Sequence, residues 1–251
     1  MRVRASSQLP DYAPMNSEPE SLAKFNVDVH IAKGLSGWRL LYTRILEHIR
    51  PESVLEVGSG SPDFLQALEG CQRRVAVDGG DRWQQEFLES GIGFYNIDLD
   101  HDPLPELDPF QVSVCSDVFE HLLYPDRTLH MLRTLTTESG VLMSHVPNEF
   151  RLAKTLKIML GRREAKYSHP HCDEYNHPHL RRFTRIGFKK FLEREFKYNL
   201  FVSDLRYGTL AGLINRVGIR VPYALEGGPT YLSTNSHNTF ERLCRIKQAL
   251  L

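Results

Sequence analysis

Short apolar runs alternate with stretches of helical periodicity through the middle of the 251-residue chain. The apolar runs predict five strands, at residues 53–57, 75–77, 93–97, 112–115 and 141–146. Between them, apolar side chains recur at helical spacing over residues 63–69, 82–90 and 124–136. Buried strands that alternate with helices are typical of a parallel sheet with helices on both faces. The pattern therefore predicts an α/β fold with a doubly wound sheet.

The segments on either side of this alternation are less regular. Residues 1–20 contain three prolines among serine, asparagine and glutamate, which predicts a flexible arm. Apolar side chains over residues 38–49 predict an amphipathic helix, and beyond Pro147 the pattern predicts a helix over 184–196, strands over 200–207 and 230–234, and a terminal helix. We expect a single domain over residues 21–251, with a basic, His-rich segment at about 150–183 and an insertion at about 208–229.

The charges balance over the whole chain but not along it. With 31 basic and 31 acidic side chains and 41% hydrophobic residues, the composition excludes global disorder and a histone-like basic protein. Residues 51–126 carry 16 acidic and 3 basic side chains, whereas residues 151–198 carry 13 basic and 5 acidic ones. Charge runs are commonly solvated faces. The basic run would also raise the local concentration of an anionic substrate, and both interpretations stay open.

The cysteines and the N-terminal residues indicate a compartment. The 4 cysteines are widely separated and form no CxxC pair, so they indicate no disulfide framework. The sequence has no apolar stretch near the length of a membrane span, and its first residues lack the apolar core of a signal peptide. We expect a cytoplasmic protein with reduced thiols and no membrane span.

The segment VLEVGSGSPDF, residues 54–64, has the pattern of a strand, a Gly-rich turn and a helix. Gly58 and Gly60 would let the backbone turn sharply and approach a ligand closely, although an ordinary turn can also require glycine. The next predicted strand ends in Asp78, whose carboxylate can accept both hydroxyl groups of a ribose. Together these residues predict a site for a small organic cofactor.

Two cofactors fit this geometry, a nicotinamide dinucleotide and S-adenosylmethionine. The nicotinamide fingerprint has a third glycine three residues after the second, where this chain has Asp63. A carboxylate at the start of the helix would repel a pyrophosphate. S-adenosylmethionine has no phosphate and carries a sulfonium cation, so the acidic half of the chain favours it.

At this point the sequence resembles the class I S-adenosylmethionine-dependent methyltransferases. Glu56, Gly58 and Gly60 match the first motif of that family, E/D-x-G-x-G-x-G, and Asp78 matches the acidic end of its second strand. The third glycine of the motif is replaced by Pro62. Proline is well suited to the first turn of a helix, so we expect the turn to survive the replacement.

Two further segments extend the resemblance. Asp98 and Leu99, in NIDLDHDPLP, correspond to the acidic and apolar residues that such enzymes present to the adenine. The segment CSDVFEHLLYPDRTL, which contains Asp117, is similar to the DVxEH segment of the ubiquinone-biosynthesis type. The resemblance implies a Rossmann-like sheet of seven strands with the last strands antiparallel, and S-adenosylmethionine as cofactor. It implies cofactor-binding roles for Glu56, Gly58, Gly60, Asp78, Asp98, Leu99 and Asp117.

Downstream, PNEFRL and DEYNHPHLRRFT resemble methyltransferases of surface-glycan biosynthesis. Four histidines lie close together with acidic residues and Cys172, at positions 169, 171, 177 and 179. Their spacings match no closed zinc pattern, so we expect a loop that contacts substrate rather than a metal site. Arg181, Arg182 and His177 are the candidate substrate-binding residues.

A methyl acceptor must lose a proton, and histidine is the side chain best suited to accept it near neutral pH. We rank His179 first and His121 next as catalytic residues, with His177 and His145 as further candidates. Many methyltransferases depend mainly on in-line positioning of acceptor and methyl group, so a dedicated base is not required.

These residues predict transfer of a methyl group to an oxygen, or less readily a nitrogen, of a small or glycan-linked acceptor, such as an anionic sugar. Three alternatives stay open at this stage. They are a non-catalytic protein that binds S-adenosylmethionine and regulates a partner, a nicotinamide-dependent oxidoreductase, and a nucleic-acid methyltransferase. The last has only the basic segment in its favour, because the chain lacks a pattern of stacking aromatic residues.

Overall fold

The computed structural model describes residues 37–103, 105–161, 179–202 and 227–250. Within these ranges the chain forms one sheet of seven strands in the order β3-β2-β1-β4-β5-β7-β6. The strands are β1 Ser53–Val57, β2 Arg73–Asp78, β3 Gly93–Asn96, β4 Phe110–Ser116, β5 Thr136–His145, β6 Tyr198–Phe201 and β7 Thr230–Thr234. The first five strands are parallel, and β7 is antiparallel to both β5 and β6. The predicted doubly wound sheet is confirmed.

Helices flank the sheet and connect its strands. They are α1 Trp38–Ile49, α2 Asp63–Gln66, α3 Gln84–Glu89, α4 Pro125–Thr134, α5 Leu152–Met159, α6 Arg185–Leu192 and α7 His237–Leu250. Helix α4 has proline in its first turn, where a missing N–H costs little. Helix α6 begins where the Thr184 side chain accepts a hydrogen bond from the Gly187 N–H, at 3.0 Å. None of the helices in the described ranges is both long and apolar enough to span a membrane.

Two hydrophobic layers hold the sheet between the helices. Side chains of β1 alternate between the layers, with Leu55 and Val57 in one and Val54 in the other. The first layer contains Phe188 and Phe191 of α6, and the second contains Tyr42 and other side chains of α1. Both faces of the central strands are therefore covered, which explains why these strands appear in the sequence as continuous apolar runs.

The strand order fixes where a ligand can bind. The chain runs from β1 outward to β2 and β3, and then returns to place β4 on the other side of β1. In sheets of this kind the crevice for ligands lies beyond the carboxyl ends of the strands at this reversal. The loops after β1, β2, β4 and β5 begin at this edge of the sheet. The loops after β1 and β4 carry Gly58, Gly60, Asp117 and His121 of the predicted site residues.

Several predicted segments lie outside the described residues. They include the N-terminal arm over 1–20, most of the His-rich loop and nearly all of the insertion over 208–229. The structure also adds one helix that the sequence pattern did not predict. Residues 152–159 were expected only as part of a basic segment, and they form α5.

Candidate active site

The turn after β1 is built from two glycines with left-handed backbone conformations. Gly58 has a φ of 72°, and Gly60 has a φ of 58°. The N–H of Gly58 donates a hydrogen bond to the carbonyl of Val77 at 2.8 Å, which holds the turn against β2. A Cβ at Gly58 would lie 2.1 Å from Cγ2 of Val118, so the loop after β4 packs directly on the glycine. Only glycine fits this position without displacing that loop.

Pro62 follows this turn without breaking it. The residue has φ −74° and ψ −10°, values close to those of a helix, and it precedes α2 directly. Its carbonyl accepts a hydrogen bond from the N–H of Gln66 at 2.9 Å. Proline lacks only the N–H, which no helical hydrogen bond requires at this position.

Asp78 lies at the end of β2 beside the glycine turn. Its Oδ2 accepts a hydrogen bond from the N–H of Gly60 at 2.8 Å, and its Oδ1 accepts one from the N–H of Gly80 at 3.0 Å. Burial raises the pKa of this carboxyl, while the N–H groups of Gly60, Gly80 and Gly79 act in the opposite direction. Each carboxylate oxygen has a second lone pair, so this pairing leaves capacity for ribose hydroxyl groups.

Glu56 is the buried carboxyl group of β1, with 1% of the residue exposed. Neither of its oxygens accepts a hydrogen bond from the residues that the structure describes. Burial raises its pKa to about 8, with the Arg39 guanidinium lowering it and the Asp78 carboxylate raising it further. A buried carboxyl group without hydrogen bonds is costly, so Glu56 stays a candidate for a role in binding.

Helix α1 contributes an arginine that the sequence analysis missed. One Arg39 nitrogen donates to the carbonyl of Ser59 at 2.7 Å, and the other donates to the Ser61 hydroxyl at 3.1 Å. The guanidinium also lies 4.0 Å from Oε1 of Glu56. Arg39 therefore ties α1 to the glycine turn through these two hydrogen bonds. Its spacing of three residues from the buried Tyr42 places it on the inner face of α1, which is the signal in the sequence that could have identified it.

Trp38 and Asp117 connect α1 to the loop after β4. The indole N–H of Trp38 donates to Oδ2 of Asp117 at 2.8 Å. Asp117 adopts a φ of 57°, and its N–H donates to the carbonyl of His145 at 3.0 Å. Such a conformation is unusual for a residue other than glycine and clusters at functional sites. Trp38 also packs against the second hydrophobic layer, so its side chain combines an apolar and a polar contact.

Asp98 and Leu99 form the start of the loop after β3. The Asp98 Oδ1 accepts a hydrogen bond from the N–H of Asp100 at 3.0 Å, and Oδ2 lies 3.1 Å from Nδ1 of His101. Leu99 is 8% exposed and packs in the first hydrophobic layer. The pair therefore stands beside the end of β2, since the N–H of Ile97 donates to the Asp78 carbonyl at 2.9 Å.

Two of the candidate histidines meet in one cluster with two glutamates. The rings of His121 and His179 are 4.7 Å apart between centroids. Nδ1 of His179 lies 2.8 Å from Oε1 of Glu149, and Nε2 of His121 lies 3.9 Å from Oε1 of Glu120. Glu120 and Glu149 were not selected from the sequence, because 29 residues separate them and only the fold brings them together.

The other candidate residues have different surroundings. His145 is buried, and its Nδ1 lies 3.0 Å from the Thr230 hydroxyl. Arg181 donates to the backbone carbonyls of Leu122 and Leu123, so it holds the loop after β4. Arg182 is exposed. His177 lies outside the described residues.

Comparison with known proteins identifies the family of the chain. A methyltransferase-domain family model matches residues 31–194. The fold is similar to that of the plantazolicin methyltransferase BpumL, solved with SAH and a triazolic desmethylPZN analog, at TM-score 0.56, 13% identity, and coverage of 79% of this chain and 85% of that one. It is also similar to an S-adenosylmethionine-dependent methyltransferase from Thermotoga maritima, at TM-score 0.51, 12% identity, and coverage of 79% and 90%. A comparison with curated protein sequences finds no match.

The chain therefore belongs to the methyltransferase-domain family. Its seven-stranded sheet and glycine turn are those of a class I S-adenosylmethionine-dependent methyltransferase, and S-adenosylmethionine is its cofactor. The family decides between the two cofactors that the sequence left open. Its subfamily and its acceptor are questions for the site itself.

Proposed function

We propose that S-adenosylmethionine binds in the crevice between β1 and β4. Gly58 and Gly60 would provide the close backbone approach, and Asp78 would accept the ribose hydroxyl groups. Asp98 and Leu99 would flank the adenine. Asp117 would supply negative charge to the methionine portion, which carries an ammonium and a sulfonium group. Glu56, whose pKa burial raises to about 8 in the absence of cofactor, would add its charge when the cationic cofactor favours the ionised form.

The residues at this crevice suit such a cofactor. Within the described ranges, a Cβ at Gly60 would have one atom within 4 Å besides its chain neighbours, Nη2 of Arg39 at 3.8 Å, so these residues leave space beside this glycine for a ligand. Glu56 brings a buried carboxyl group without a hydrogen-bond partner among the described residues. Acidic side chains favour a cationic cofactor over a phosphate-bearing one.

We propose O-methylation of a small or glycan-linked acceptor, with an anionic sugar preferred, and N-methylation as the less favoured reaction. The bound cofactor would supply an electrophilic methyl group on its sulfonium sulfur. The acceptor oxygen would attack the methyl carbon in line, and the carbon–sulfur bond would break to release adenosylhomocysteine. The observation that carries this proposal is the cluster of His121, His179 and Glu149. His121 lies in the loop after β4, three residues after Val118, which packs on Gly58. His179, oriented by Glu149, and His121 would act on the proton that the acceptor loses.

The anionic acceptor is supported by the excess of basic side chains over residues 151–198. Arg182 is the better probe of this charge than Arg181, because Arg181 binds backbone carbonyls of the loop after β4. We expect Arg182→Glu to raise the KM for an anionic acceptor by about tenfold, since reversing one charge near a bound anion costs on the order of 1 kcal/mol.

The measurement is methyl transfer from labelled S-adenosylmethionine to phosphorylated and nucleotide-linked sugars, each compared with its neutral counterpart. Arg245→Glu on α7 is the matched control, because it makes the same charge change at an exposed site outside the basic segment. An unchanged KM in Arg182→Glu would contradict the anionic acceptor. Methylation of amines but of no hydroxyl compound would contradict O-methylation.

A further inference from the structure

The cluster formed by the loop after β4 and His179 has the donors of a metal centre. Glu120, His121 and His179 each place one ligand atom within 4.8 Å of the others. In a complete site, bonds of about 2.1 Å put neighbouring ligand atoms about 3 to 4 Å apart. The three ligand atoms are therefore slightly further apart than in a filled site, and small side-chain rotations would bring them to bonding distance of one ion.

Glu120 provides a second, independent observation. The residue is 1% exposed, and neither carboxylate oxygen accepts a hydrogen bond from another described residue. Nothing of opposite charge reaches these oxygens except the imidazole of His121, at 3.9 Å, within the part of the chain that the structure describes. A buried carboxyl group is ordinarily paired or bound to a metal ion.

Glu149 supports the cluster from outside. Its Oε1 lies 2.8 Å from Nδ1 of His179, so ligation by this histidine would use Nε2. A carboxylate on the far nitrogen is the arrangement that fixes the tautomer and ring orientation of metal-bound histidines. The geometry of His179 is thus that of a ligand with its outer support already in place.

The backbone ties together the two segments that carry the ligands. The N–H of Arg181 donates to the carbonyl of Glu120 at 3.1 Å. The side chain of Arg181 donates to the carbonyls of Leu122 and Leu123. This clamp fixes His179, two residues before Arg181, against Glu120 and His121.

We propose that Glu120, His121 and His179 bind one divalent first-row transition-metal ion, with Glu149 as the positioning residue of His179. Two imidazoles and one carboxylate select Zn²⁺, Mn²⁺ or Fe²⁺ over Mg²⁺ and Ca²⁺, which prefer oxygen ligands. Three protein ligands leave positions open on the ion. The site uses only His179 of the His-rich loop, for which the sequence predicted contact with substrate rather than a metal site.

The location of the ion gives it a role that rests on the proposed function. Val118, which packs on Gly58, lies two residues before Glu120. The open positions would therefore face the acceptor end of the crevice. There the ion would bind the acceptor hydroxyl and lower its pKa, and the proton would leave to solvent water. The two histidines would then act as ligands, in place of the direct role on the proton given to them above.

The test is metal binding by the full chain after dialysis against a chelator. Titration with Co²⁺, followed by its visible absorption, and calorimetric titration with Zn²⁺ are expected to give one ion per chain. We expect Glu120→Gln, His121→Asn and His179→Asn each to weaken binding by at least about tenfold, and Glu149→Gln to weaken it by about 10 to 100-fold. His130→Asn is the control, because this exposed histidine also lies beside a carboxylate, that of Glu195, but outside the cluster.

Adenosylhomocysteine affinity, measured in every variant, separates the loss of a ligand from the loss of the fold. If Glu120→Gln does not fold, His179→Asn carries the test, since its side chain is less buried. The proposal is overturned if the wild-type chain binds neither ion, or if the histidine variants bind them as tightly as the wild type. Binding of the ion without methylation of any hydroxyl acceptor would instead contradict the proposed function alone.

Discussion

Replacing Gly60 with alanine is expected to weaken adenosylhomocysteine binding by at least about tenfold while the protein stays folded. Among the residues that the structure describes, the nearest atom to a Cβ at this position, apart from its chain neighbours, is Nη2 of Arg39 at 3.8 Å. It would instead occupy the space into which the cofactor is proposed to fit. The positive φ of 58° adds a cost of about 1 to 2 kcal/mol to folding.

The paired substitution, Gly58→Ala, is expected to destabilise the folded protein. Its Cβ would lie 2.1 Å from Cγ2 of Val118, a short and branched side chain that cannot move aside easily. The clash and the φ of 72° together are expected to lower the free energy of unfolding by about 2 to 5 kcal/mol. Urea denaturation and calorimetric titration of both variants check the pair. Equal cofactor affinity in Gly60→Ala and wild type would contradict the proposed approach of the cofactor to this turn.

Replacing Glu56 with glutamine is expected to make the dependence of stability on pH less steep. Burial also raises the pKa values of Asp78 and Glu120, so part of the dependence stays in the variant. The pKa of Glu56 is raised from 4.5 to about 8 in the folded protein, mainly by burial. Between these values the folded protein holds a proton that the unfolded chain has released. The stabilisation from this group is therefore complete below pH 4.5, falls by up to about 1.4 kcal/mol per pH unit as the pH rises, and is lost above pH 8.

The measurement is urea denaturation of wild type and Glu56→Gln from pH 5 to pH 9, without cofactor. A glutamine carries no charge at any pH, so the variant should lose stability less steeply and exceed the wild type at the alkaline end. The raised pKa of Asp78 has the same sign and should leave a smaller slope in both proteins. Glu52→Gln, at an exposed position of the neighbouring turn, is the control. Parallel profiles for wild type and Glu56→Gln would mean that Glu56 is ionised throughout.

The sequence was sufficient for the sheet because burial on both faces leaves a clear signal. Strands β1 and β7 have the predicted bounds, since each apolar run ends at a turn. Strand β5 begins at Thr136, five residues before its predicted start. The apolar pattern did not indicate this first part, because residues 137–139 are polar and partly or fully exposed. Helix α5 was missed because residues 151–166 were interpreted through their charge rather than their periodicity.

The site could be predicted only where a single motif contains its residues. Gly58 and Gly60 lie in one turn, and Asp78 is the last residue of the next strand. The pairs Arg39 with Glu56, Trp38 with Asp117, and His179 with Glu149 join distant parts of the chain. No local pattern encodes such pairs, because they depend on which loops the topology brings to the same edge of the sheet.

The central claim is that the crevice at β1 and β4 binds S-adenosylmethionine through Asp78, and calorimetric titration with adenosylhomocysteine tests it most directly. Wild type is expected to bind it, NADH is expected not to bind, and Asp78→Asn is expected to weaken binding by about 10 to 100-fold through lost charge-assisted hydrogen bonds. Asp81→Asn, at an exposed position three residues further on, should bind like wild type. Unchanged affinity in Asp78→Asn, in protein shown to be free of carried-over ligand, would contradict the claim.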